Sequence, residues 1–508
     1  MLFLNPNDGA DSDLDDASSD NEANTTSSIR DIGKGVLSMP AEFTLRSKKN
    51  KTNLNVENPD LDLKPGPKKQ RKIPRAWTPI SMKESSDKYQ QLDSFYNNIK
   101  SSFSEKVAND HLKPIDTFKL LFDEEIMSHI CKETVKYAAQ KGHPELTLSI
   151  DQLYRYLGIL LLSGYVKLPY RRMYWETRND SNNYLVANSM SRNTFEKIHR
   201  YLQFNDNMKI DSGDKIYKVR PLIEHLNDKF CKFIEPLEQN FSLDEAMEPY
   251  YGHHPMKQFI RSKPIRYGYK FWCLTSSDGY LIKFQPYTGA GDKTPGKSLG
   301  SSVTDKLCLN FLPMGACVYN YFTSLPLMDT LTQNNLFCVG TIRNDRIEKA
   351  PLKDLKIEDR GTSYSLREKH NGNTLIRWND NNPVTLVTNL QSEDHFKIGH
   401  CKRWKINQGK QISVFQPNLI ELYNKGMGGV DLFDNLRGLY RIRIRSRKWY
   451  FPLFRFCLNG SIVNLWFLYR SYENIPLLEF IRKIVLALLS SSNLEKNVVF
   501  GPKQRNVF

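Results

Sequence analysis

Tyr267-Gly-Tyr-Lys-Phe-Trp-Cys-Leu-Thr275 and Gly279-Tyr-Leu-Ile-Lys-Phe-Gln-Pro-Tyr287 are two aromatic-rich runs joined by Ser276-Ser-Asp-Gly279. Aromatic side chains suit a pleated, half-buried surface, and Asp-Gly supplies the turn, so the stretch predicts a β-hairpin. Working outward, the texture differs on either side. Upstream, over residues 86–235, apolar residues recur at three- and four-residue steps: Phe118, Leu121, Phe122, Ile126 and Ile130, then Leu153, Tyr156, Leu157, Leu160 and Leu161. That period marks amphipathic helices. Arg192–Leu202 is a third such stretch, and Asp116 and Ser191 read as helix N-caps. Downstream, Ala316–Tyr319, Phe337–Ile342, Thr374–Trp378 and Val384–Val387 read as strands, with a helix at about 325–334. After Met427 the pattern is helical again, notably over 453–472 and 477–489. Strands mixed with helices predict an α/β fold: a mixed-sheet core flanked by an α-helical domain.

The chain has 508 residues, 40% hydrophobic and 25% charged, a globular composition with room for several domains. Its formal net charge of +16 points to an anionic partner, nucleic acid before an anionic membrane. The apolar runs around 157–162 and 484–489 fall short of the ~18 residues a membrane span needs. The N-terminus turns acidic by Asp8, without the pattern of a secretory signal, so an intracellular protein without a membrane partner is expected. The eight cysteines form no CxxC pair, and neither a disulfide framework nor a zinc module is expected. His400 and Cys401 come nearest to a metal cluster but lack a second pair of ligands.

Residues 1–60 are rich in Asp, Ser, Asn and Glu and read as disordered, with too little apolar surface to offset ordering. Lys64-Pro-Gly-Pro-Lys-Lys-Gln-Arg-Lys-Ile-Pro-Arg75 then reverses the charge. Lys64, Lys68, Lys69, Arg71, Lys72 and Arg75 read as a nuclear import signal on an extended arm; the plainer reading is a solvated linker.

Two sets of acids stand out. Asp244 and Glu245 follow Phe241-Ser-Leu243, as at the end of a strand. Asp431 and Asp434 lie three apart, on one helix face, just after Gly428-Gly429. Carboxylates so gathered can hold a hard divalent cation, and two such cations can drive phosphodiester cleavage. The helix dipole alone also favours acids in a first turn, so spacing leaves both readings open. Arg261, Lys263, Arg266 and Lys270 form one basic group, and Arg437, Arg441, Arg443, Arg445, Arg447 and Lys448 another. An extended segment would array the odd-numbered arginines from 441 to 447 on one side, where they could pair with phosphates. A solvated charged face is the plainer alternative. Trp175, Trp272 and Trp378 read as core, and His253 and His254 receive no role.

Several ordered motifs carry a family resemblance. They are Leu243-Asp-Glu-Ala-Met-Glu-Pro-Tyr-Tyr-Gly252, Lys263-Pro-Ile-Arg-Tyr-Gly-Tyr-Lys-Phe-Trp272, Asn320-Tyr-Phe-Thr-Ser-Leu325 and Gly340-Thr-Ile-Arg343. Tyr423-Asn-Lys-Gly-Met-Gly-Gly-Val-Asp-Leu-Phe-Asp434 and Lys448-Trp-Tyr450 complete the set, with Tyr174-Trp175 and Lys218-Val-Arg-Pro-Leu222 upstream. Over roughly 114–472 the chain resembles piggyBac transposases. The resemblance implies a ribonuclease-H-like mixed-sheet core with an inserted β-rich segment. It implies carboxylates that bind two divalent metals, usually magnesium, to cut DNA at transposon ends and join it to a target. It assigns Asp244 as the first catalytic carboxylate, Asp431 as the third and Asp434 as an additional acid, with Asp244 and Asp431 as metal ligands if any metal binds. The family has Asp directly before Asn-Tyr-Phe-Thr-Ser; here Tyr319 fills that place. A phenol is neutral at pH 7 and a poor magnesium ligand, so magnesium binding is compromised and strand cleavage is expected to be crippled or absent. Asn320 is a weak substitute, and Asp329 lies too far along the next helix. Cys457 is the last cysteine, whereas many relatives end in a zinc module that reads transposon ends.

The resulting domain plan has six parts. Residues 1–85 form an acidic then basic disordered arm, 86–235 a helical DNA-binding or dimerisation region, and 236–345 the first part of the transposase domain. A β-rich insertion spans 346–415, the end of the ribonuclease-H-like domain 416–450, and C-terminal helices 451–508 pack with the helical region. The expected function is that of a domesticated, nuclear, DNA-binding protein impaired in cleavage, with DNA and chromatin proteins as partners and homodimerisation implied. The alternative is an active DDE transposase performing metal-dependent cleavage and strand transfer.

Overall fold

A computed structural model describes residues 74–82, 109–233, 240–261, 263–289, 292–309, 311–391, 396–405 and 409–490. A strand β1 (Trp77–Ile80) precedes six helices: α1 (Pro114–Leu121), α2 (Glu124–Gln140), α3 (Ile150–Leu162), α4 (Tyr184–Ser189), α5 (Arg192–Tyr201) and α6 (Arg220–Phe233). Next come β2 (Asn240–Pro249), β3 (Gln258–Phe259), β4 (Tyr267–Ser276), β5 (Leu281–Pro286), α7 (Leu299–Cys308), β6 (Cys317–Asn320), α8 (Leu325–Gln333) and β7 (Phe337–Thr341). Five more strands follow: β8 (Ser363–Glu368), β9 (Thr374–Asn379), β10 (Pro383–Thr388), β11 (Ile398–Lys405) and β12 (Lys410–Pro417). Four helices complete the described chain: α9 (Asn418–Gly426), α10 (Gly429–Leu439), α11 (Phe451–Tyr469) and α12 (Leu477–Ser490).

The helices start where their side chains can satisfy open N–H groups. Ser149 caps α3: its hydroxyl accepts the Gln152 N–H at 3.1 Å, and the Gln152 side chain returns to the Ser149 N–H at 3.1 Å. Ser191 caps α5 by accepting the Thr194 N–H at 3.2 Å. Asp116 corrects the expectation of a cap: it lies in the first turn of α1 and accepts the Lys113 N–H at 3.0 Å. The apolar stripe of α3 packs against α12, so close that a Cβ on Gly158 would lie 2.9 Å from the Leu489 side chain. One run exceeds the length read from sequence. Helix α11 is long and apolar enough to cross a bilayer, yet nearly all of it is buried inside the protein. It carries Arg455, Asn459 and Asn464 into that interior, which marks a core helix.

Ten strands form one mixed sheet in the order β1-β8-β9-β10-β7-β6-β2-β4-β3, with β5 paired to β4. Strands β4 and β5 form the expected hairpin over residues 267–287, antiparallel, with a register shift between Leu274 and Thr275. Strand β2 is antiparallel to β4 and parallel to β6, which is parallel to β7. Strands β8–β10, within the β-rich insertion expected over 346–415, extend this sheet because β10 pairs with β7; β11 and β12 pair with each other alone. The arm expected to stay disordered to residue 85 contributes β1, paired with β8 from Trp77↔Glu368 to Ile80↔Ser365.

Candidate active-site cleft

Asp244 sits within β2, whose ladder with β4 runs from Phe241 to Pro249, and not at a strand end as expected. Side chains alternate along a strand, so Asn240, Ser242 and Asp244 share one face. Helix α10 starts over that face. The Ser242 hydroxyl donates to the Met427 carbonyl at 2.8 Å. Gly429 lies against the sheet so tightly that a Cβ there would meet the Ser276 carbonyl and come within 2.6 Å of Thr275 Oγ1. Asp431, in the first turn of α10, is thereby placed near enough for its charge to act on Asp244. Burial pushes the Asp244 carboxyl up to about 6; Lys263 opposes this, while the negative charges of Glu245 and Asp431 add to it. Glu245 points to the other face and pairs with Lys270 at 2.5 Å.

Asp434 belongs to a different cluster. It pairs at 2.5 Å with Arg437, whose guanidinium also pairs with Glu248 and donates to the Met247 carbonyl at 2.8 Å. Arg455 pairs with Glu248 as well and donates to the Pro249 carbonyl at 3.1 Å, and Arg441 lies 3.9 Å from Glu248. Burial alone would push Glu248 up, but Arg455, Arg437 and Arg441 outweigh it and hold the carboxyl down at about 2. Burial drives Arg441 down to about 10. This cluster locks the first motif to the third, and Glu248 went unassigned in the sequence. Its signal was an acid inside an otherwise buried strand, which demands a cationic partner.

The place of a second acid is decided by strand register. Strands β2 and β6 pair Ser242↔Tyr319 and Leu243↔Asn320, where the ladder ends, one residue short of Asp244; Tyr321 follows outside β6. Tyr319 lies two residues lower and is 1% exposed. Its hydroxyl donates to Asn240 Oδ1 at 3.0 Å, and its ring fills the space a Cβ on Gly426 would need. Asn320 offers no ligand to the cleft either: it faces the opposite side, buried, with its carbonyl oxygen accepting the Phe322 N–H at 3.1 Å. Tyr321 is 60% exposed. Tyr423, a motif residue without an assigned role, reports on the neighbourhood: burial pushes its phenol up to about 12, and both Asp244 and Tyr321 add to the rise. Asp329 is engaged elsewhere, with Arg75 at 2.5 Å, Asn371 at 2.7 Å and Asn373 at 3.0 Å. Among the described residues, no group of three or more His, Cys, Asp or Glu side chains is placed to hold a metal ion.

The basic groups divide. Along residues 441–447, Ile442 and Ile444 are buried while Arg443, Arg445 and Arg447 are exposed, the alternation of an extended segment. Arg437, read as a DNA contact, is 1% exposed and serves the ion cluster; Arg441 is half-buried beside it. Lys448 is also half-buried and donates to the Leu202 carbonyl at 2.9 Å, and burial together with Lys218 lowers it to about 7. Arg261 and Arg266 are exposed, Lys263 bears on Asp244, and Lys270 sits 3.7 Å over the Trp272 ring. Arg75, counted in the import signal, is instead held by Asp329, Glu348 and Glu368. Lys64, Lys68, Lys69, Arg71 and Lys72 lie outside the described residues. Trp272 and Trp378 are buried and Trp175 is half-buried; His254 stacks on Trp449 at 4.2 Å.

A family model described as Transposase IS4 matches residues 113–466. The human PiggyBac transposable element-derived protein 3 is 39% identical over 410 residues, covering 78% of this chain and 68% of that protein. The human PiggyBac transposable element-derived protein 2 is 35% identical over 452 residues, covering 86% and 74%. A cryo-EM structure of the piggyBac transposase synaptic complex with hairpin DNA matches with a TM-score of 0.63 at 24% identity, over 75% of this chain and 80% of that one. At that identity the match speaks to fold alone: a mixed α/β architecture built on a large mixed sheet.

Proposed function

Because this chain belongs to the piggyBac transposase family, we propose that it is a transposase-derived nuclear protein that binds DNA and is impaired in cutting it. The core is read as ribonuclease-H-like. Supporting this are carboxylates on a central strand and on the helix packed over it, in a sheet with parallel and antiparallel neighbours.

One observation carries the impairment. Where the family motif has its second acid stands Tyr319, buried and bonded to Asn240, and among the described residues no group of three or more His, Cys, Asp or Glu side chains is placed to hold a metal beside Asp244 and Asp431. Two-cation phosphodiester chemistry needs carboxylates enough to seat both ions and offset their charge. Two carboxylates, one of them largely desolvated, beside two phenols and the Lys263 ammonium, do not fit a pair of magnesium ions. No cleavage step is therefore assigned to this cleft.

DNA binding is supported by the net charge of +16, by the exposed Arg443, Arg445 and Arg447, and by the DNA in the structurally similar transposase complex. The nuclear assignment rests on the basic run from Lys64 to Lys72. The surviving Asp244–Asp431 pair favours a second reading, a working transposase.

A labelled duplex incubated with the purified full chain in magnesium or manganese decides between them. Binding that falls steeply with salt, without nicking, is the expected result. Robust cutting would establish the second reading, and failure to bind the duplex at low salt would remove the DNA-binding one.

A further inference from the structure

The β11–β12 hairpin offers a surface that the cleft does not use. One face of it is committed to the protein. Val414 is buried, Arg403 pairs with Asp380 at 3.1 Å, and the Arg403 guanidinium lies 5.6 Å from the centre of the Trp378 ring. The other face follows from the register, which sets His400 opposite Phe415, Lys402 opposite Ser413 and Trp404 opposite Gln411. Trp404 is 59% exposed and Phe415 is 44% exposed. The His400 and Phe415 rings lie 4.7 Å apart.

Large aromatics normally repay their size by burial, and here two stand on one face of one hairpin. Lys402 lies between them along the strand, and Lys405 and Lys410 are exposed at the hairpin end. Neither strand contains an aspartate or glutamate. Residues 400 and 404 are four steps apart on β11, which separates the two aromatic positions by about 13 Å.

We propose that this face binds single-stranded nucleic acid. Unpaired bases stack on Trp404 and on the His400–Phe415 pair, and the intervening phosphate lies against Lys402. The alternation of π-surface and cation fits this ligand, because every base presents a face that an aromatic side chain can cover and every linkage a charge. In a duplex those faces are already covered by neighbouring bases. An acidic peptide would satisfy the lysines and leave the aromatic faces without a partner. The proposal rests on the reading of the chain as DNA-binding, but on different residues from the exposed arginine strip.

The test is fluorescence anisotropy with the purified full chain and three probes: labelled oligothymidylate, a labelled mixed-sequence duplex and labelled polyglutamate. The double variant W404A/F415A should weaken oligothymidylate binding tenfold or more while leaving duplex affinity and melting temperature unchanged. Should that variant melt early, K402E keeps both aromatics and should still weaken oligothymidylate severalfold. Undiminished oligothymidylate binding by the variants, or none by the unmodified chain, overturns the proposal. So does polyglutamate binding that is lost in W404A/F415A, which would identify a peptide surface. Loss of oligothymidylate binding in the variant, with no duplex binding by any form, would sustain this inference and reject the reading of the chain as a duplex-DNA binder.

Discussion

Tyr319 is buried against Gly426 and hydrogen-bonded to Asn240, whereas Tyr321, two residues on and just past the end of β6, is exposed. The motif points to the first; exposure favours the second. The two substitutions should therefore part company. Tyr319→Asp puts an unpaired carboxylate among apolar side chains and should cost about 3–5 kcal/mol, seen as an early urea midpoint. Tyr321→Asp should fold normally and gain a melting temperature that rises with added manganese, since a third carboxylate joins Asp244 and Asp431. Manganese dependence in Tyr319→Asp and none in Tyr321→Asp would show that the buried motif position is the ligand position after all. Glu248 gives a second residue-scale prediction. Its folded pKa, about 2, lies below the ~4.3 of an unfolded glutamate, so its stabilisation is complete above the unfolded value. It is lost as pH falls through that window. Urea midpoints followed from pH 7 to pH 3 should drop for the unmodified chain and drop less steeply for Glu248→Gln, which starts lower because Arg437 and Arg455 lose their counter-charge.

Among the elements, those with a strong local signal were legible. The period of α3, the hairpin of β4 and β5, and β7, β9 and β10 all follow from side-chain alternation or helical spacing. Strands β1, β8, β11 and β12 were not read from the sequence. Trp77-Thr-Pro-Ile80 contains a proline and reads as linker, and it is a strand because β8 offers an edge to pair with. β8, β11 and most of β12 fall inside the β-rich insertion expected over 346–415 but were not picked out singly; in β11, Ile398–Lys405, only the inward face meets the core, so the apolar alternation is weak. Helix α10 is set by Gly429, where backbone lies directly on β2 and β4. Gly429→Ala should lift that helix start and cost about 1–3 kcal/mol by overpacking. Lifting the helix start would admit water to Asp244, whose raised value owes most to burial and least to Asp431, so its carboxyl, titrated by carbon-13 NMR, should move down toward the ordinary aspartate value. An unchanged titration would mean that the helix start is not what buries Asp244.

For the whole molecule, the same positive charge serves two ends. Some cations hold the fold together: Arg437 and Arg455 on Glu248, Arg75 on Asp329, Glu348 and Glu368, and Lys270 on Glu245. Others stand outward, with Arg443, Arg445 and Arg447 in one line. If those three neutralise duplex phosphates, replacing all three with alanine should lower the slope of log affinity against log salt by roughly 2.7. A slope that does not change would place the duplex elsewhere on the surface.

By itself the sequence determined the helical and strand periods, the basic balance, the family, and the acids that belong to its motifs, because each depends on residues near one another in the chain. Tertiary structure decided which of those charges are available. Arg437 is held between Glu248 and Asp434, the charge of Asp431 reaches Asp244, and Tyr319 turns into the interior toward Asn240 while Tyr321 stays exposed. These outcomes depend on register and burial between segments far apart in sequence, where a shift of one residue turns a side chain to the opposite face.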